Sequence, residues 1–299
     1  MIIPTTTYKD IADQHSKAIA WMESLGINVD KNRVSHYKNT IEYCASSYKT
    51  ATTEEMDKIL PDFISSVIEI HNFIEIFSAF KDIPINQLTK IIKKLQISVN
   101  GPLNSVSEQA KTSTARNYLF EAYVAARCHR PQRGVSCILD ASSDTGIKIE
   151  DKKIWIECKR ITSHSKLEKN ISVATKQLES VISKQVGSGH RGVVALDISK
   201  ILTTGNEILV SENDDSLIKN IDAIMDDYIK KNQNVLESIY ERRSRKVLGL
   251  LVSFSFMSSS KDRNLLVHTT QWGLSPKSNI SAMDESALRK LALNLKDFQ

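Results

Sequence analysis

The chain has 299 residues, of which 41% are hydrophobic and 25% charged, a composition typical of a soluble globular protein that could hold two modest domains. No apolar run approaches the roughly 20 residues of a membrane-spanning helix, and the N-terminus lacks the basic and apolar segments of a secretory signal. We therefore expect a cytoplasmic protein that has no membrane partner.

The charge is unevenly distributed along the chain. Residues 1–110 carry 11 basic and 13 acidic residues, a balance of −2, whereas the remainder carries 29 and 22, a balance of +7. A positive surface favours phosphate backbones, so the basic excess indicates a nucleic-acid partner for the C-terminal part. The four cysteines show no CxxC spacing, which predicts reduced, buried thiols and argues against zinc. His15, His36 and His71 are expected in packing or surface roles, and His164 and His190 are expected on surface loops.

The first hundred residues contain a single glycine, Gly26, and predict an all-α domain. The turn Asn100-Gly101-Pro102 marks its end. We therefore predict a helical interaction or positioning domain over residues 1–105, through which the chain could form a homodimer or bind a partner protein. Apolar spacing predicts helices over Tyr8–Leu25, Asn32–Ser46, Phe63–Phe80 and Gln87–Leu95, with a separate helical start at Thr53 that Pro61 divides from the third.

Beyond this turn, helices alternate with strands. A strand, a helix and a strand in the spacing found between residues 154 and 198 predict a parallel crossover unit. The predicted elements are a helix over Thr114–His129, a strand over Gly134–Asp140, two strands around the charged turn Glu150–Lys153, a helix over Leu167–Val186, a strand over Gly192–Ile198, a helix over Asp215–Arg243, strands over Val247–Phe256 and Leu265–Trp272, and a helix over Ala282–Leu295.

The two strands around the charged turn carry the residues of greatest chemical interest. Successive side chains on a strand point to opposite faces, so Glu157 and Lys159 share one face and Cys158 belongs to the apolar face. Asp144, at the start of the preceding strand, also avoids the apolar face. Two carboxylates and an ammonium placed in this way can hold a hard divalent cation beside a phosphate. Asp140 is an alternative acid, at a longer spacing from Glu157.

An acid followed by Glu-x-Lys, within the order helix, three strands, helix, strand, resembles the core of the PD-(D/E)xK nuclease superfamily, the restriction-endonuclease-like fold. The acid is Asp144 and the Glu-x-Lys is Glu157-Cys158-Lys159, while Ser143 stands where the signature has proline. The resemblance covers roughly residues 113–198. It implies an α/β domain over residues 106–299, with an αβββαβ core and a mixed sheet, preceded by the all-α domain.

The resemblance also implies a metal site. Asp144 and Glu157 would ligate Mg²⁺ or Mn²⁺, with the backbone carbonyl of Cys158 as a further oxygen ligand. Glu121, on the helix before the strands, would complete the metal shell directly or through water. This set of oxygen ligands suits a hard divalent cation.

Further roles follow from the same resemblance. Lys159 would orient or activate the attacking water and offset charge in the transition state. Gln177, on the helix after the strands, matches a position where some members carry a polar helper residue. The implied activity is metal-dependent hydrolysis of phosphodiester bonds, with DNA as the expected substrate. A role in phage defence is an expectation from the family.

Other interpretations stay open. Glu157 and Lys159 could form a solvated strand face, Asp144 could cap a turn, and the basic cluster Arg242–Lys246 could end a helix or touch phosphates. Asp144-Thr145-Gly146 also spells the short motif of retroviral-type aspartic proteases, but the flanking helices exclude the all-β domain which that motif needs. The fold could bind nucleic acid or protein without cutting, or the helical domain could carry the main function.

Overall fold

The structure is a computed structural model that describes residues 3, 5–47, 50–203, 205–241 and 243–295. Within them the chain is mixed α/β, with ten α-helices, a seven-stranded mixed sheet and a helical region at its start. The chain divides into two compact units. The first contains residues 1–119, 203–220 and 255–269, and the second contains residues 120–202, 221–254 and 270–299. The domain boundary at residue 105 stays a prediction.

Four helices open the chain, in agreement with the sequence pattern: α1 (Tyr8–Ser24), α2 (Arg33–Ser47), α3 (Thr53–Phe80) and α4 (Thr89–Ser98). The predicted division at Pro61 is wrong, because α3 runs through it. Pro61 costs the helix one backbone hydrogen bond and crowds the carbonyl four residues earlier. Burial of the apolar face that follows, including Phe63 and Phe73, offsets this cost. Thr52 caps α3 and forms a capping box with Glu55.

By length and composition, α3 is apolar enough to cross a membrane, although 56% of the qualifying segment is buried inside the protein. By this criterion, the expectation that no segment approaches a membrane span is not met. That expectation rested on uninterrupted apolar runs, whereas α3 qualifies through the mean hydropathy of a segment that also contains polar residues. The buried face of α3 also contains Ser65, Ser66 and Glu69. Core helices of soluble proteins pass the same test of length and composition.

The central elements follow the predicted order: α5 (Thr114–Cys128), β1 (Val135–Cys137), β2 (Thr145–Ile149), β3 (Lys152–Arg160), α6 (Leu167–Ser183) and β4 (His190–Asp197). Strands β1, β2 and β3 pair antiparallel in sequence, and β3 pairs with β4 in parallel. The helix α6 makes the crossover and packs on both β3 and β4. A tight fit at Gly192 shows this packing, because a Cβ there would lie 3.1 Å from Ile182 Cδ1.

The remaining elements complete the sheet, in the order β1-β2-β3-β4-β6-β5 with β7 paired to β6. The single helix predicted from Asp215 is two helices, since the amide of Asn232 donates to the carbonyl of Tyr228 and closes the first. Arg242, predicted to end that helix, lies outside the described residues. The elements are α7 (Ser199–Leu202), β5 (Ile208–Ser211), α8 (Asp214–Lys231), α9 (Gln233–Glu241), β6 (Val247–Ser260), β7 (Leu265–Pro276) and α10 (Ala282–Leu295).

Candidate active site

One end of the β2–β3 pair carries the acidic and basic residues singled out in the sequence. The register pairs Thr145 with Ile156, so Asp144, directly before β2, comes beside Glu157 on β3. Glu157 and Lys159 lie near the C-terminal end of β3 and share one face, as the alternation of side chains requires. The antiparallel pairing thus brings together residues that are 13 to 15 positions apart in sequence.

The three side chains converge. The Lys159 Nζ atom lies 3.4 Å from Glu157 Oε2 and 3.6 Å from Asp144 Oδ2. The backbone N–H of Cys158 donates to Asp144 Oδ2 over 2.8 Å and fixes that carboxylate against β3. Two carboxylates therefore share one ammonium at the end of the sheet.

Burial differs within this cluster. The side chain of Glu157 is 4% exposed, whereas those of Asp144 and Lys159 are 24% and 19% exposed. A solvated strand face at Glu157 is therefore excluded. A ligand can approach from the side of Asp144 and Lys159.

The electrostatics of Glu157 follow from this position. Burial raises the pKa of Glu157 to about 7, and the negative charge of Asp144 adds to this rise while the Lys159 ammonium opposes it. Glu157 and Asp144 also share a side-chain hydrogen bond that favours the protonated form. One ammonium thus leaves the pair of carboxylates under-neutralised, and further positive charge would be stabilised there.

The residues fit a hard divalent cation that takes only a few of its ligands from the protein. Mg²⁺ takes oxygen ligands and is commonly bound through one or two carboxylates, completed by water and substrate phosphates. Asp144 and Glu157 supply two such carboxylates. In the described part of the chain, no group of three or more His, Cys, Asp and Glu side chains is placed to hold a metal ion.

The other predicted site residues lie on α5 and α6. Glu121 is half-buried on α5, and Gln177 is exposed on α6, beside its buried face. Their roles at the site stay predictions. Asp140, the alternative acid, is exposed in the turn between β1 and β2.

A second ion pair beside the site was missed by the sequence analysis. The Arg160 Nε atom donates to Asp197 Oδ2 over 2.9 Å, and the other oxygen of Asp197 accepts from the backbone and hydroxyl of Ser199. Arg160 and Asp197 are register partners on β3 and β4. This pair anchors the strand end that carries Lys159. The only sequence signal was an acid directly after a buried apolar strand.

His190 corrects an expectation, because it is buried in β4 and not on a surface loop. Its ring stacks on Trp155 at 5.9 Å between ring centroids, and its Nδ1 accepts a hydrogen bond from the indole N–H over 3.2 Å. This contact packs the N-terminal half of β3 against β4.

Comparisons with protein-family models, with curated proteins and with solved structures found no match to the chain.

Proposed function

We propose that the protein is a metal-dependent nuclease that hydrolyses phosphodiester bonds, with DNA as its substrate. One observation carries the proposal: the convergence of Asp144, Glu157 and Lys159 at the end of β3, with two carboxylates around one ammonium. The same constellation is implied by the resemblance to PD-(D/E)xK nucleases.

The order of elements supports the restriction-endonuclease-like part of the proposal. The chain runs α5, β1, β2, β3, α6, β4, with an antiparallel meander followed by a parallel crossover. In this arrangement the acid before β2 and the Glu-x-Lys of β3 meet at one sheet end. The helical region before α5 would recruit the substrate or a partner.

Asp144 and Glu157 would hold Mg²⁺ or Mn²⁺, with the carbonyl of Cys158 and the carboxylate of Glu121 as further oxygen donors. When bound, the ion would polarise the phosphate and lower the pKa of water. Cys158 donates its N–H to Asp144 Oδ2 and so orients that carboxylate. Glu157 must lose its proton before it can serve as a ligand, and its raised pKa sets the pH at which this happens.

Lys159 would act on the reacting phosphate. Its ammonium is partly exposed and held by two carboxylates, so it lies where charge builds on the phosphate oxygens and can offset that charge. It can also hold the attacking water by a hydrogen bond. Lys159→Arg is not a conservative change at such a point, because a planar guanidinium cannot replace a compact ammonium.

The test is cleavage of plasmid, linear and single-stranded DNA with and without Mg²⁺ or Mn²⁺. We expect cleavage only with metal, and a loss of at least about 100-fold in Asp144→Ala, Glu157→Ala and Lys159→Ala. Asp140→Ala is the matched control, because it removes a nearby exposed carboxylate that the proposal does not use. Cleavage that survives all three site variants would place the chemistry elsewhere.

A module that binds nucleic acid or protein without cutting is the second candidate. The observation in its favour is that the Lys159 ammonium already pairs with both carboxylates, as in a purely structural ion cluster. Calorimetry with Mn²⁺ separates the two functions. A nuclease should show heat of Mn²⁺ binding that disappears in Asp144→Ala, whereas a binding module should show none.

A further inference from the structure

We propose that the outer face of α6 binds the phosphate backbone of the nucleic acid beyond the cleaved bond, through a row of Lys169, Lys176 and Lys184. The inference rests on the proposed function and deepens it, because it assigns the surface along which the substrate lies. The observations that carry it are the spacing, the exposure and the missing acidic partners of these lysines.

The three lysines form a row along the helix. With about 100° per residue, Lys169, Lys176 and Lys184 fall within an arc of about 80° on the face opposite the buried one. With about 1.5 Å per residue, they are spaced about 10 and 12 Å apart, so the row spans about 22 Å. That is about six base pairs of duplex DNA, at 3.4 Å per pair.

The row is positively charged without compensation. All three lysines are exposed, and none forms an ion pair with another described residue. The two acids of α6, Glu168 and Glu179, fall on a flank of the helix and not within the row. Glu179 is engaged on that flank, where it pairs with Arg243 at 3.5 Å and accepts the N–H of Ser244.

Polar groups between the lysines suit the same partner. Ser180 is exposed within the arc and Gln177 is exposed about 20° beyond its edge, and both can donate a hydrogen bond to a phosphate oxygen. Gln177, singled out in the sequence as a helper residue, would then contact the backbone of the substrate.

The row leads away from the candidate active site. The helix α6 packs antiparallel to β3 as the crossover between β3 and β4, so its first turn lies toward the strand end that carries Glu157 and Lys159. Lys169 stands near that end, and Lys184 stands at the other end of the helix. A strand held at the site could therefore continue along α6.

Charge complementarity favours nucleic acid over a lipid surface. A helix that lies on a membrane presents an apolar face to the lipid. The apolar face of α6, with Ile171, Leu178 and Ile182, is buried against the sheet, so the accessible face is polar apart from the single exposed Val173.

The experiment measures the binding of a short fluorescent DNA duplex by anisotropy across a series of salt concentrations, without metal. The test variant is Lys169→Gln/Lys176→Gln/Lys184→Gln in the full chain. The matched control is Lys219→Gln/Lys230→Gln/Lys231→Gln, which removes the same charge from exposed positions of one other helix, α8. Lysine and glutamine have similar helix propensities, so both variants should fold, which thermal unfolding checks.

We expect the α6 variant to bind roughly tenfold or more weakly, with the slope of log K against log salt reduced by up to about 2.7, or about 0.9 for each lost phosphate contact. The control should change binding less than twofold. Equal losses in both variants would overturn the inference, because they would reflect net charge alone. No loss in the α6 variant would overturn it as well.

Two further measurements, of DNA cleavage and of vesicle binding, distinguish a failure of this inference from a failure of the proposed function and test a lipid partner. Wild-type binding that depends on the α6 lysines, but without cleavage under any metal, would support this surface and defeat the nuclease. Metal-dependent cleavage, together with unchanged DNA binding in the α6 variant, would support the nuclease and overturn the α6 surface. Lysine-dependent binding to vesicles of phosphatidylserine and phosphatidylcholine, without binding to DNA, would overturn the inference in favour of a membrane.

Discussion

Two buried carboxylates of this protein are surrounded in opposite ways. Glu69 on α3 lies 2.6 Å from Arg33 Nη1 and 2.6 Å from Arg116 Nε, so two guanidinium groups face one carboxylate. At the end of β3, Glu157 and Asp144 share the single ammonium of Lys159. If all the groups are charged, the first cluster carries +1 and the second −1.

The difference separates a structural cluster from a site that can take up a cation. Other donors of the Glu69 cluster bond to backbone carbonyls: Arg33 donates to Ser98, and Arg116 donates to Pro102 and Leu103. This cluster ties the helices to the segment after α4. The Glu157 cluster has excess negative charge and a carboxyl with a raised pKa, which a divalent ion or a proton relieves.

The largest effect is expected at Glu69. In Glu69→Ala, two buried guanidinium groups lose their shared carboxylate, and we expect a loss of about 3–5 kcal/mol in the free energy of unfolding, measured by urea denaturation. Glu42→Ala is the control within the same helical region. The Glu42 side chain is half-exposed, and its ion pair with Lys38 is long, at 3.9 Å between Nζ and Oε1. The control should lose less than about 1 kcal/mol. Equal losses would mean that the Glu69 cluster has no special structural role.

Glu157→Gln should increase the free energy of unfolding, whereas Glu69→Ala should lower it. The folded-state pKa of Glu157 is raised from 4.5 to about 7, so its ionisation opposes folding. Below pH 4.5 the carboxyl is protonated in the folded and unfolded chains, and no penalty exists. The penalty grows as the pH rises from 4.5 to 7 and is complete above 7, where it is on the order of 3 kcal/mol at about 1.4 kcal/mol per pH unit.

Thermal unfolding in a metal chelator measures this effect. Glu157→Gln should be more stable than the wild type at pH 8 and nearly equal to it at pH 4.5. Asp140→Asn controls for the loss of an exposed carboxylate nearby and should show no such pH dependence. A Glu157→Gln variant that is less stable than the wild type at pH 8 would show that the carboxylate, as it stands, stabilises the fold.

Metal binding should follow the same proton. A carboxylate must be ionised to ligate Mn²⁺, so proton and metal compete for Glu157. With a pKa near 7, the affinity for Mn²⁺ should fall by up to about tenfold when the pH is lowered from 7 to 6, and change little between pH 8 and 9. Calorimetry at these pH values checks this. A pH-independent affinity between 6 and 7 would remove Glu157 from the site.

Much of the site could be predicted from sequence because its information is local. Asp144, Glu157 and Lys159 lie on two strands joined by a short turn, so the alternation of side chains was enough to predict their common face. The burial of Glu157 was not predictable, because it depends on how α6 packs over β3. The Arg160–Asp197 pair was missed for a similar reason, since it joins strands connected through a long crossover.

The fold shows the same limit. Helices with strong apolar spacing were predicted within a few residues, whereas the division at Pro61 gave the local effect of proline too much weight against the burial of the face that follows it. The single helix predicted from Asp215 was ended by a side-chain hydrogen bond of Asn232, which apolar spacing cannot reveal. The short strand β5 carries too little pattern for prediction and exists through its pairing with β6.

The smallest effect tests the comparison most directly. Lys159→Gln leaves two carboxylates without their ammonium, and because Lys159 is partly exposed we expect a loss of only about 1 kcal/mol at pH 8. Adding Mn²⁺ should restore this loss, since the metal takes the place of the missing positive charge. Thermal unfolding with chelator and with Mn²⁺ measures both values.

Arg116→Gln is the matched control for this rescue. It also removes one positive partner from a buried carboxylate. In this variant, however, Glu69 keeps the positive charge of Arg33 beside it. Mn²⁺ should therefore not restore its stability. If Mn²⁺ stabilised both variants equally, or neither, the excess of carboxylates at Glu157 would not create a cation site, and the two clusters would differ only in their burial and in the number of their hydrogen bonds.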